Sequence, residues 1–124
     1  MSNNSGGEIP LEDKELCNVS ETLPTRCNGV QQWYEAVEYA TMYCSSVSLL
    51  PTHREETNRV VARNRRIGIG IIDWTGWVYD VGLNKVTSYM RKGYEKVTKI
   101  NQEANAEAGV PEAIRKTTIK KLVA

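Results

Sequence analysis

The chain has 124 residues and a formal net charge of +1, a length that suits one domain with a working core. The near-neutral balance argues against a dedicated nucleic-acid binder, which carries a basic excess, and no apolar run reaches the ~20 residues that cross a bilayer. The N-terminus lacks the charged-then-apolar order of a secretory signal, and three cysteines cannot all pair with one another, so a reducing cytoplasm is the expected setting.

Residues 1–13 read as a loop in which Gly6-Gly7 precedes Glu8, and two glycines let the backbone come close to whatever the loop reaches. Residues 15–22 read as a strand, alternating through Leu16-Cys17-Asn18-Val19 and ended by Pro24. After Asn28-Gly29, the positions Val30, Trp33, Val37, Ala40, Cys44 and Val47 recur at helical spacing, and Pro51 stops that helix. Thr52 is the expected N-cap of the next helix, with Glu55 completing a capping box. "THREETNRVVARNRR" continues it as a polar helix with a narrow apolar stripe.

"RIGIGII", Arg66 to Ile72, is the best strand: β-branched residues alternate with glycine, which leaves one face nearly bare backbone in need of cover. A short helical turn with Trp74 and Trp77 follows. Leu83, Val86, Met90, Val97, Ile100 and Ala104 then mark a long amphipathic helix that Gly109 and Pro111 close. The final run, "AIRKTTIKKLVA", starts as a strand. About three strands therefore alternate with helices long enough for parallel crossovers, as in a segment cut from a larger α/β enzyme.

Candidate chemistry is sparse. Cys17, Cys27, Cys44 and His53 match no zinc-ligand spacing, and His53 suits a solvated first-turn position. Gly68-Ile69-Gly70 is not a dinucleotide fingerprint, because Asp73 stands at the third glycine and no helix start is expected at the required place. Trp33, Trp74 and Trp77 read as core or interface aromatics. Arg65 and Arg66 can hold a phosphate or carboxylate bidentately; capping carbonyls or forming structural ion pairs at a helix–strand junction is slightly favoured.

Taken in order, "CNVSETLPTRC", "HREETNRVVARNRRIGIGIIDW" and "RKGYEKVTKINQEANAEAGVPEAIRKTTIK" resemble the adenosylcobalamin-dependent ribonucleotide reductases, above all the monomeric triphosphate-reducing type. The resemblance runs from Asn4 to Lys120 and implies part of a ten-stranded α/β barrel: a loop remnant over 1–13, an α/β segment over 14–120 and a non-family tail over 121–124. The family's active-site loop reads Asn-Pro-Cys-Gly-Glu, and Asn4-Ser5-Gly6-Gly7-Glu8 occupies its place, with Cys17 eleven positions after the loop-cysteine position. The resemblance implies that Asn4 hydrogen-bonds the ribose hydroxyls and Glu8 is the base at the 3'-hydroxyl. It makes Cys17 one of two thiols that deliver reducing equivalents, and places Thr117 and Thr118 at the substrate-binding end of "TTIK". In that chemistry a thiyl radical removes the 3'-hydrogen, the 2'-hydroxyl leaves with carboxylate help, and a dithiol gives two electrons and ends as a disulfide. The second thiol is expected far upstream, outside this chain.

The departures matter as much. The radical-bearing cysteine is replaced by Gly6, the loop proline by Ser5, and Lys121-Leu122-Val123-Ala124 follows "TTIK" where the family has a proline and a phosphate-binding loop. The expectation is a reductase fragment, inactive alone, with adenosylcobalamin needed by the whole enzyme and not bound by this piece. Its expected partners are the remaining barrel segments, a ribonucleoside triphosphate and thioredoxin, with no nucleic acid or membrane. The alternatives are a split or intein-flanked piece that joins an active reductase, and a non-catalytic binding module that reuses the fold. Open strand edges and the glycine face also predict self-association.

Overall fold

The computed structural model describes residues 2–3, 10–113 and 116–120. Its centre is a three-stranded parallel sheet of β3 (Asn18–Thr22), β4 (Ile67–Ile71) and β5 (Lys116–Lys120), with β4 in the middle. A separate antiparallel pair joins β1 (Ser2–Asn3) to β2 (Pro10–Leu11), so the segment read as loop contains a two-residue ladder on either side of residues 4–9.

The parallel strands need crossovers, and helices supply both. From β3 the chain passes a 3-10 turn (Pro24–Arg26), α1 (Val30–Val47) and α2 (Glu55–Asn64) to β4. From β4 it passes α3 (Trp74–Val81) and α4 (Leu83–Ala108) to β5. Helix α1 packs on α4, β3 and β4, and α4 also meets β5. Ile67, Ile69 and Ile71 enter one core with Trp33, Val37 and Cys44 of α1, Trp77 of α3, and Val86 and Val97 of α4. Each such side chain contributes about 1.5–3 kcal/mol by leaving water, so this layer holds the sheet to its helices.

Trp33 anchors the helical layer. Its Nε1 donates to Thr22 Oγ1 at 3.0 Å, and that hydroxyl donates to the Gly70 carbonyl at 2.9 Å. Its ring lies 4.8 Å from Trp77, while Tyr34 and Tyr89 extend the aromatic cluster. Gly93 lets α4 pass close over this ring, for a Cβ there would stand 2.6 Å from Trp33 Cη2.

Several expectations need correction. The first strand begins at Asn18 rather than residue 15: Lys14 takes a left-handed φ of 63° and the Glu12 amide donates to Glu15 Oε2, so residues 12–15 form a turn. The Thr52–Glu55 capping box does not form. Asn58 takes Thr52 instead, accepting from its amide at 2.7 Å and its hydroxyl at 2.8 Å, while Glu55 pairs with Arg59. Arg54 is therefore the N-cap, and exposed His53 precedes the helix rather than standing in its first turn. The helical turn read after this strand is α3, which opens at Trp74 beyond the glycines of β4 and is capped by Asp73, whose carboxylate accepts from the Gly76 amide.

Along α4, Leu83 is exposed, and Ile100 and Ala104 are only half-buried. The buried stripe runs Val86, Gly93, Val97, Asn101, Asn105. The two asparagines are buried because they organise the turn into β5. Asn101 donates to Ser45 Oγ at 2.9 Å and accepts from the Ala113 amide at 3.1 Å, and Asn105 donates to the Pro111 carbonyl at 3.0 Å. The glycine face was expected to lie open, yet Gly68 and Gly70 are buried with the rest of β4. A residue without a side chain in a central strand presents little area, and β3 and β5 shield it on both sides.

Candidate functional site

The resemblance directs attention to the start of β3. Asn4, Gly6 and Glu8 lie outside the described residues. Cys17 is the residue immediately before β3 and is half-buried. Ser20 faces α1, where it accepts from Cys44 Sγ at 3.2 Å, so strand alternation directs Cys17 and Val19 to the opposite, glycine face of the sheet. In register, Val19 stands beside Gly68, and Gly68 beside Thr117; Thr118 stands beside Ile69. Two inter-strand steps and two residues along the strand separate Cys17 from Thr117, roughly 12 Å between Cα atoms. The intervening Gly68, buried in β4, contributes only backbone between them.

The three cysteines are distributed so that none can partner another. Cys44 is wholly buried on the helix side, where burial pushes its thiol pKa up against the opposing pull of the Ser20 hydroxyl. Cys27 follows the 3-10 turn beyond the other end of β3, its Sγ 3.5 Å from the Leu23 carbonyl and its thiol also pushed up by burial. Cys17 is at the opposite end of the strand. Among the described residues no three His, Cys, Asp or Glu side chains gather as a metal site, and His53 lies in the α1–α2 connection.

What holds Cys17 was not read from the sequence as a unit. Glu15, its side chain fully buried, forms an ion pair with the buried Nε of Arg66. Asn64 Nδ2 donates to Glu15 Oε1 at 3.1 Å and to Glu12 Oε2 at 3.0 Å. Glu12 pairs with Arg63, and Lys14 pairs with Glu56 at 2.5 Å. The Arg63 and Asn64 hydrogen bonds hold the Glu12 carboxyl below its ordinary value, and Lys14 does the same for Glu56. Acidic "LEDKE" against basic "ARNRR" was the available signal, though nothing in spacing alone paired them. The two arginines take the structural roles slightly favoured from sequence: Arg66 makes this ion pair, and Arg65 donates to the Ser48 carbonyl from a left-handed helix end.

The fold is that of a segment of a cobalamin-dependent ribonucleotide reductase. Over 94% of its length the chain matches a crystal structure of a B-12-dependent (class II) ribonucleotide reductase, with a TM-score of 0.83, 22% identity and 20% of that chain covered. No family model matches the sequence. Curated relatives do. A probable adenosylcobalamin-dependent ribonucleoside-triphosphate reductase of Dictyostelium discoideum is 28% identical over 120 residues, covering 97% of this chain. The corresponding enzymes of Euglena gracilis and Lactobacillus leichmannii are 27% and 30% identical, covering 91% and 94% of it. The chain belongs to the adenosylcobalamin-dependent ribonucleoside-triphosphate reductases, and it spans only 16% to 19% of the length of these relatives.

Proposed function

We propose that this chain carries part of the substrate site of a ribonucleoside-triphosphate reductase, with Cys17 as one of the two reducing thiols. The observation that carries the reading is the placement of Cys17: half-buried and at the entry of β3, beside a glycine-bearing strand. Transferring two electrons from a dithiol requires a second sulfur within disulfide reach, about 4.4–6.8 Å between Cα atoms. Cys44 is on the other face and Cys27 at the other strand end, which supports a partner cysteine outside this chain. On the same reading Asn4 binds ribose hydroxyls, Glu8 takes the 3'-hydroxyl proton, and Thr117 lines the substrate; Thr118, in register with core residue Ile69, falls on the helix-side face of the sheet and is not part of that lining.

The named relatives are adenosylcobalamin-dependent. A 240 Å³ cleft lined by Trp33, Trp77 and Tyr89 is too small to hold that cofactor. The 410 Å³ groove along Lys92, Lys96 and Lys99 is also within the range of drug-sized ligands, well below a corrin with its adenosyl group. This chain's own part is therefore to position the ribose and the reducing thiol, with thioredoxin and the other barrel segments as partners. Gly6 has no sulfur from which hydrogen abstraction can start, so the chain reduces no nucleotide alone. Its coverage of under a fifth of the relatives' length favours a second reading as well, in which it joins other segments to make an active reductase. No helix among the described residues is long and apolar enough to cross a membrane, and the cytoplasm is the compartment that suits a reducing thiol.

Timed iodoacetamide labelling read by peptide mass spectrometry tests the role of Cys17. Thiol access predicts that Cys17 reacts about tenfold faster than sealed Cys44. Equal or slower reaction at Cys17 removes the support for its role. Formation of 2'-deoxynucleotide by the purified chain, under anaerobic conditions with dithiothreitol and adenosylcobalamin, overturns the expected inactivity.

A further inference from the structure

We propose that Arg66 is the positioning residue of the Cys17 thiol, pinning the short segment that bears it at both ends. The inference rests on the reading of Cys17 as a reductant. On one side of Cys17, the buried Glu15 carboxylate is paired with Arg66 Nε. On the other side, the Asn18 amide donates to the Arg66 carbonyl at 3.4 Å, the hydrogen bond that starts the β3–β4 ladder. One residue thus holds the chain two positions before the thiol through its side chain and one position after it through its backbone.

The clamp has depth behind it. Arg66 leads directly into β4, every residue of which is buried, so its backbone is fixed by the core. Asn64, two residues earlier, bonds both Glu12 and Glu15 and holds the turn from the same end of α2. Lys14, with its left-handed backbone, is tied to Glu56. A thiol that must meet both a substrate carbon and a second sulfur needs a fixed approach, and errors of about 1 Å are expensive in such geometry. A buried ion pair is a poor way to add stability, since apolar replacements often do as well, but it fixes one register and one geometry.

The test uses the full chain with Glu15→Gln, Arg66→Met and Arg66→Lys. Glu15→Gln keeps the side chain's volume but turns one of its two acceptor oxygens into an amide, and it stands in if Arg66→Met does not fold. Two measurements are made: labelling of each cysteine by iodoacetamide, and amide exchange at Asn18 and Ile72. Ile72 donates to the Thr22 carbonyl at 2.8 Å, at the far end of the same strand pair, and so reports the sheet apart from the clamp. The expected result is local: Cys17 labelling and Asn18 exchange each rise about three- to tenfold in Glu15→Gln and Arg66→Met. Cys44 labelling and Ile72 exchange stay at wild-type rates, and Arg66→Lys restores part of the protection. Loss of protection at all four positions together shows a merely structural role and overturns the inference, as does no change at Cys17 and Asn18. Slow labelling of Cys17 in the wild type counts against the proposed function alone, because Asn18 exchange still decides whether the clamp exists.

Discussion

Gly93→Ala is the sharpest single perturbation of the helical layer, because two opposing effects differ in sign and their balance follows from the geometry. An alanine in the interior of a long helix normally gains about 1 kcal/mol over glycine. Here its Cβ would stand 2.6 Å from Trp33 Cη2 and 3.1 Å from Cζ3, roughly 1 Å inside ordinary carbon–carbon contact. Trp33 is held in place although a cleft borders it. It is 1% exposed, its Nε1 is bonded to Thr22, and its ring is packed 4.8 Å from Trp77. Either α4 lifts from α1 or the indole leaves its rotamer, and overpacking of this kind costs about 1–3 kcal/mol. The net loss is about 1–2 kcal/mol at the upper end of that range, a fall of roughly 4–8 °C in Tm for a chain of this size. Thermal unfolding followed by circular dichroism reads it. The same substitution made with Trp33→Leu should cost less than in the wild-type background, as coupled neighbours do. A Gly93→Ala chain that melts at or above the wild type refutes the close-approach argument.

Asn101→Ala removes the partner of Ser45 Oγ and of the Ala113 amide inside the core, which should cost about 1–3 kcal/mol and loosen the entry to β5; an unchanged melt removes Asn101 from that role. Arg63 and Asn64 depress Glu12 below its ordinary value of 4.5, so their stabilisation is complete above that pH and is lost as acid lowers the pH through the depressed value. Glu12→Gln should therefore flatten part of the acid limb of a Tm-against-pH curve and leave neutral and basic pH behaviour unaltered in shape; an identical acid limb refutes this. The outer edge of β3 carries exposed Val19 and Glu21, and light scattering should show self-association that Val19→Lys reduces; a sharp monomer peak from the wild type refutes it.

The parts of the chain legible from sequence are those in which a residue's own neighbours carry the information. Trp33, Val37 and Cys44 lie on one helical stripe, and all three are buried in α1. The alternation of Ile67, Ile69 and Ile71 marks a strand, and β4 is that strand. Family-like motifs drew attention to Cys17, Thr117 and Thr118, and the structure added that Cys17 stands just before β3, that both threonines lie in β5, and that β4 stands between them.

The rest depended on groups far apart in sequence. A polar residue in a helix reads as solvent-facing, so Asn101 and Asn105 became core residues only when Ser45 and the Pro111–Ala113 turn came to face them. Thr52 and Glu55 satisfy every local rule for a capping box, but Asn58 offered Thr52 a closer set of hydrogen bonds and moved the helix start. Glu15 and Arg66 are 51 residues apart, and although a structural ion pair suited Arg66, no spacing named Glu15 as its partner. Periodicity is a property of one segment and can be read before folding; a buried polar group is stable only with its partner beside it, and the tertiary fold alone decides who that partner is.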